Sequence, residues 1–206
     1  MPIFHDYFKN MLLDTLVLTG GIHVYREGRM WYNLKMQFLF VSGAMTKEMF
    51  TRITESPEQT AELAVLVGKR IREGTVVCME GDLGAGKTLF VRNLAHTLGV
   101  EGEVTSPTFS LMNIYEGICP ILHFDLYRLE TEDQLEDIGF FEYTEEPEGI
   151  VLIEWADKFP EAMPEEYVKV VFERTGAGPE ERRITFSCVG DKNEDFLEEL
   201  ESFCQS

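Results

Sequence analysis

Between Ser56 and Phe203 the chain moves between two kinds of hydrophobic spacing, and the changes mark out a series of helices and strands. Leu63, Val67 and Ile71 recur at four-residue steps and make one apolar stripe, the spacing of an amphipathic helix. Ser56 stands where that helix needs an N-cap, Pro57 suits its first position, Gln59 completes a capping box and Gly74 ends it. The pattern then changes to short unbroken apolar runs over residues 75–79, 120–124 and 150–153. Runs of this length without polar alternation suit strands buried on both faces of a sheet.

Other elements fall between and after these runs. Val91, Leu94, Ala95 and Leu98 share a helical face that Gly99 stops, and residues 110–115 read as a strand turned at Gly117. An acidic helix is expected around residues 131–138, opened by Thr131 and Gln134, and an ordered loop over 104–109, where hydroxyls gather around Pro107. Residues 168–172 and 184–189, separated by Gly176-Ala177-Gly178-Pro179, read as an antiparallel hairpin, and Phe196, Leu197, Leu200 and Phe203 as a closing amphipathic helix.

One break between strand and helix carries chemistry. Gly81-Asp82-Leu83-Gly84-Ala85-Gly86-Lys87-Thr88 follows the first apolar run and opens the helix of Val91 and Leu94, the context that a phosphate loop requires. Its glycines let consecutive N–H groups turn toward an anion, and the following helix points its positive end at the same place. Lys87 supplies charge to β- and γ-phosphates, and the Thr88 hydroxyl a ligand for Mg²⁺. Leu83, Gly84, Ala85, Gly86 and Leu89 would lie against the phosphates. The fold predicted is α/β, a P-loop NTPase-type sandwich whose central sheet is mixed but largely parallel, with an antiparallel hairpin at one side.

Charge sharpens this picture. The chain has 206 residues, 44% of them hydrophobic, and a net charge of −19, which describes a globular protein. Residues 1–48 set Lys9, Arg26, Arg29, Lys35 and Lys47 against Asp6, Asp14, Glu27 and Glu48, a balance of +1, so the remainder holds −20. A body so acidic is a poor match for nucleic acid on its own and suits a basic partner protein. The same boundary separates a 1–48 extension from a 49–206 nucleotide-binding domain. Within the extension, residues 38–41 are apolar, Thr19-Gly20-Gly21 and Glu27-Gly28-Arg29 look like turns, and Met45 opens a stretch that reads as an ordinary start. The segment is either a small packed element or a dispensable one, and the second reading is expected. Cys78, Cys119, Cys188 and Cys204 lack C-x-x-C spacing and read as reduced thiols of a cytosolic protein. No apolar run approaches the roughly 18 residues of a membrane span.

A phosphate loop works with a carboxylate at the end of a neighbouring strand. Asp125 and Glu154 each directly follow an apolar run, and either could hold Mg²⁺. Glu154 follows the more uniformly apolar strand and is expected to order the metal; Asp125 is expected to position water or respond to the γ-phosphate. His123 is read as a structural neighbour facing away from Asp125. Trp155 either packs over the nucleotide or caps the core, and Ser106 and Thr108 either sense the γ-phosphate or form a turn. Arg128 would meet phosphate, a partner's carboxylate or a surface ion pair, and Arg182 is similarly open.

Four blocks together carry a resemblance: the phosphate loop, Thr105-Ser106-Pro107-Thr108-Phe109, His123-Phe124-Asp125-Leu126-Tyr127-Arg128-Leu129 and Ile153-Glu154-Trp155. In this order and spacing the chain resembles the TsaE (YjeE) family from about Ser56 to Val189. The resemblance implies a small bacterial ATPase working with TsaB and TsaD to make N6-threonylcarbamoyladenosine at position 37 of tRNAs that read codons beginning with A. It implies ATP and Mg²⁺ as ligands, Thr88 and Glu154 at the metal, Lys87 and Asp125 in phosphate binding and turnover, and a nucleotide site reaching Pro57. The tRNA would be met only through the complex. A small-molecule kinase is the rival enzyme, but Lys158, Lys169, Arg174, Arg182 and Arg183 form no lid-like cluster. No N-K-x-D motif suggests a GTPase. A nucleotide-gated docking protein with little hydrolysis of its own is the alternative from another class.

Overall fold

The structure, a computed structural model, describes residues 46–205. The turns and strand fragments expected earlier in the chain, and the role of that segment, lie outside the described residues. In chain order the elements are β1 (Thr46–Thr54), α1 (Pro57–Gly68), β2 (Val76–Gly81), α2 (Lys87–Thr97), β3 (Met112–Glu116), β4 (Pro120–Asp125), α3 (Asp133–Asp137), α4 (Phe140–Glu145), β5 (Ile150–Glu154), β6 (Tyr167–Arg174), β7 (Arg182–Val189) and α5 (Glu194–Gln205), with short 3-10 turns at Ala156–Lys158 and Pro160–Ala162.

All seven strands form one sheet in the order β1-β7-β6-β2-β5-β4-β3. The central four, β6, β2, β5 and β4, run parallel. Both flanks are antiparallel: β7 against β6 and β1 on one side, β3 against β4 on the other. The expected hairpin is therefore β6–β7, and the sheet adds a second at its opposite edge. Strand β1 has no counterpart among the elements read from the pattern. It contributes Phe50, which is buried and stacks on Phe186 with ring centroids 4.7 Å apart. Because β1 opens at Thr46, the sheet takes in the last residues of the segment read as an extension.

The sheet separates two cores, because successive strand residues face opposite sides. Val77 and Met79 pack with Leu63, Val67, Phe90 and Leu94 of α1 and α2 and with Leu197 and Leu200 of α5. Val76 and Cys78 face the other way, joining Phe124, Val151 and Ile153 beneath Leu135 and Phe140 of α3 and α4. Every residue of β5 is buried, as its unbroken apolar run predicts. Strand β6 instead alternates, with Val168, Val170 and Phe172 buried and Tyr167, Lys169 and Val171 only partly so; there Lys169 pairs with Glu80 at 2.7 Å.

Helix α1 starts as expected. Ser56 is the N-cap and its hydroxyl accepts from the Gln59 N–H at 3.3 Å. The Gln59 side chain reaches back one residue further than in a standard capping box, accepting from the Glu55 N–H at 2.8 Å. The expected acidic helix is shorter than its pattern and is followed by α4, which begins after Gly139. All four cysteines are free, Cys78 and Cys188 fully buried.

Candidate functional site

Strand β2 delivers the chain into the phosphate loop at the carboxyl end of the sheet, where α/β folds place their ligands. Gly81 has φ 133°, and a Cβ there would sit 2.3 Å from the Phe172 carbonyl oxygen of β6. Only glycine permits that approach. Gly86, at φ 113°, is the N-cap of α2. The Phe90 N–H bonds the Gly86 carbonyl at 2.9 Å, and among the described residues no backbone acceptor takes the N–H groups of Lys87, Thr88 or Leu89. These are the unpaired donors that make a helix start an anion site.

The loop forms one wall of a cavity of about 540 Å³. The cavity gathers every residue read as part of the site: Leu83, Gly84, Ala85, Gly86, Lys87, Thr88 and Leu89 from the loop, Asp125 and Glu154 from the ends of β4 and β5, Pro57 from α1 and Arg182 from β7. It also takes in Ser106, Thr108 and Trp155, together with Thr60, Tyr127 and Glu180, to which the sequence had given no role. Thr60 lies one helical turn beyond Pro57, so helical spacing would have found it, whereas Tyr127 lies past the end of β4, where no strand period applies.

Lys87 is buried, and its ammonium donates to the carbonyls of Gly81 and, at 3.1 Å, Asp82. It also stands 3.8 Å from the centroid of the Trp155 ring, within range for a cation–π interaction. Burial pushes the Lys87 pKa down, and the charges of Glu154, Asp157, Asp125 and Asp82 oppose that shift. Trp155 has φ 62°, a left-handed conformation that costs a non-glycine residue about 1–3 kcal/mol. Its ring also lies 4.9 Å from that of Tyr127, so it packs on the cavity's lysine and tyrosine.

Glu154 is buried at the end of β5. Thr88 donates its hydroxyl toward both carboxylate oxygens, at 2.9 and 3.1 Å. His123 Nε2 lies 2.9 Å from Glu154 Oε1. That corrects the expectation that His123 faces away from Asp125: residues two apart on a strand share a face, and His123 turns to the same side as Asp125. Asp125, the register partner of Glu154, has different company. Its Oδ2 accepts from the hydroxyls of Ser106, at 2.6 Å, and Thr108, and its Oδ1 from the Tyr127 N–H at 3.1 Å. Ser106 and Thr108 thus tie their loop to the acid.

Arg182, which lines the cavity, also braces the loop. Its Nε donates to the Ala85 carbonyl at 3.0 Å and its second terminal nitrogen to Gly84 at 3.3 Å, while the first donates to Pro179 and Glu181. Arg174 donates to the Leu83 carbonyl at 3.2 Å. Arg128 does not line the cavity; its guanidinium lies 4.0 Å over the exposed ring of Phe109.

Comparison with known proteins gives the family. The family profile described as "Threonylcarbamoyl adenosine biosynthesis protein TsaE" matches residues 54–184. The "tRNA threonylcarbamoyladenosine biosynthesis protein TsaE" of Bacillus subtilis (strain 168) is 43% identical over 148 residues, 71% of this chain and 90% of that protein. The protein of the same name from Nostoc sp. is 39% identical over 151 residues, covering 70% and 92%. Among solved structures, the crystal structure of Bacillus subtilis YdiB superposes with a TM-score of 0.63 at 35% identity, over 78% of this chain and 98% of that one. With more than half its length under one family profile, and its phosphate loop and both strand-end acids inside the matched span, the chain belongs to the TsaE family.

Proposed function

We propose that this chain binds and hydrolyses ATP with Mg²⁺, and that the activity serves threonylcarbamoyladenosine formation in tRNA in the cytoplasm, alongside TsaB and TsaD. The observation that carries the nucleotide reading is the contact of the Thr88 hydroxyl with the Glu154 carboxylate, beside unpaired amides at the start of α2. The pathway reading rests on the names of the relatives. Thr88 and Glu154 offer hard oxygen donors, the kind that suits Mg²⁺, and they would hold it; bound there, the ion would neutralise charge on the phosphate oxygens.

The other residues divide the remaining work. The amides of Lys87, Thr88 and Leu89 bind phosphate oxygens, and Lys87 exchanges the Gly81 and Asp82 carbonyls for the phosphates. Pro57, Thr60 and Glu180 complete the lining of the cavity, and the nucleotide would reach Pro57. Asp125 orients the attacking water once Ser106 or Thr108 gives up its place on Oδ2. Both oxygens of Asp125 are engaged, which favours a chain that turns over slowly alone and faster when a partner moves the 106–108 loop.

Single-turnover hydrolysis of ATP with and without TsaB and TsaD tests this. Slow release of phosphate by the chain alone, accelerated by the partners, is expected. ATP binding with no hydrolysis in either condition would leave a nucleotide-gated docking protein instead. Because residues 49–206 hold a net charge of −20, the isolated chain should bind tRNA weakly, and its affinity for a basic partner surface should fall as salt rises. Tight tRNA binding at physiological salt would overturn that part.

A further inference from the structure

His123 has no part in the reading above, yet it is fully buried and its imidazole bonds a residue that would hold Mg²⁺. In the parallel register of β4 and β5, His123 lies opposite Leu152, and Asp125 opposite Glu154. His123 and Glu154 are therefore diagonal neighbours on one face of the sheet, a separation that two long side chains bridge. On its other side the imidazole meets the Tyr115 ring of β3, with centroids 6.4 Å apart. The Tyr115 hydroxyl is in turn fixed to the Thr105 carbonyl at 3.0 Å. Packing thus runs unbroken from the edge strand through Tyr115 and His123 to Glu154 and Thr88.

The hydrogen bonding of the imidazole is one-sided. A carboxylate oxygen only accepts, so Nε2 carries the hydrogen and donates. Nδ1 is buried and has no partner among the described residues. A histidine kept only to fill space gives no reason for spending one ring nitrogen on Glu154 and leaving the other without a bond, since a leucine of similar volume would leave neither. We infer that His123 is a positioning residue: its Nε2–H fixes the plane of the Glu154 carboxylate so that both oxygens face Thr88 and the metal position. Without that donor the carboxylate is free to rotate about its terminal bond, and Thr88 alone selects no single orientation. This rests on the reading of Thr88 and Glu154 as the Mg²⁺ site.

Calorimetric titration of the full chain with ADP, in EDTA and over a series of Mg²⁺ concentrations, tests it on wild type, His123→Leu, His123→Gln and His123→Asn. The amide nitrogen of glutamine reaches the place of Nε2, and that of asparagine the place of Nδ1. Expected is an unchanged ADP affinity in EDTA for all four. The gain on adding Mg²⁺ should shift to at least about ten-fold higher metal concentration in His123→Leu and His123→Asn, as for the loss of an outer partner of a metal ligand, and lie close to wild type in His123→Gln. In a Glu154→Gln background, His123→Leu should have no further effect. An unaltered Mg²⁺ response in His123→Leu, a loss in His123→Gln as large as in His123→Asn, or a loss equally present in EDTA would overturn the inference. If His123→Leu does not fold, the glutamine and asparagine variants decide by the same criteria. A wild-type chain whose ADP affinity ignores Mg²⁺ would overturn the underlying site assignment, an outcome recognisable before any His123 variant is made.

Discussion

Glu154 and Asp125 face each other across adjacent strands, yet they are held by different kinds of structure. The partners of Glu154, Thr88 and His123, sit on α2 and β4, so moving the carboxylate means moving packed secondary structure. Asp125 is held by Ser106 and Thr108, 19 and 17 residues earlier in the chain, on a segment without regular structure that leads to the exposed ring of Phe109. Packed interiors resist small displacements, whereas loop contacts open at low cost. Under the proposed function, the acid braced by regular elements would order the ion and the one held from a loop would time a step.

Substitutions can break this contrast, beginning with the largest effect. Asp125→Asn should slow turnover by about 10²-fold or more, the range for losing a general base, with ATP affinity nearly intact; quenched-flow hydrolysis alongside calorimetry separates the two quantities. Glu154→Gln keeps the size and removes the charge, and should weaken Mg²⁺-dependent binding and hydrolysis together by roughly 10- to 10²-fold, the worth of one charged contact. If Asp125→Asn instead loses the Mg²⁺ dependence and Glu154→Gln retains it, the two roles are reversed. Replacing Ser106 by Ala and Thr108 by Val together should change turnover by about ten-fold through Asp125 while leaving the Mg²⁺ titration unmoved; an altered titration would mean that the two acids are not independent. Smallest is Ser56→Ala, remote from both acids, which should cost about 1 kcal/mol of stability through the lost cap and leave nucleotide binding unchanged. Chemical denaturation would register it.

How far the sequence reveals these features depends on how local their causes are. The cap at Ser56 and the all-buried run of β5 depend on neighbours in the chain, and both follow from pattern. Strand β1 does not, because its one deeply buried aromatic, Phe50, sits among polar residues and is stabilised by Phe186 from far along the chain. Where the pattern shows one acidic helix around residues 131–138, the chain forms two short ones, Asp133–Asp137 and Phe140–Glu145. His123 was open to a period-two argument that places it beside Asp125, and Glu154 as its bonding partner only emerges from the strand register. Arg182 is harder still: its contacts with Gly84 and Ala85 join residues almost a hundred positions apart, and nothing in the spacing announces them.

Those contacts have an effect on what the phosphate loop offers an anion. A trans peptide unit points its C=O and its N–H in opposite directions. With the carbonyls of Leu83, Gly84 and Ala85 drawn outward by Arg174 and Arg182, the N–H dipoles of the same peptide units are turned away from the two arginines. A cation on the oxygen also polarises the peptide, making its N–H a stronger donor. The Ala85 N–H is taken by the Asp82 carbonyl at 3.1 Å, so the arginines would lend positive potential to a bound anion through the N–H groups of Gly84 and Gly86. Arg182→Lys would keep the charge but lose the planar fork that reaches two carbonyls at once, leaving the loop's receptor less firmly aimed.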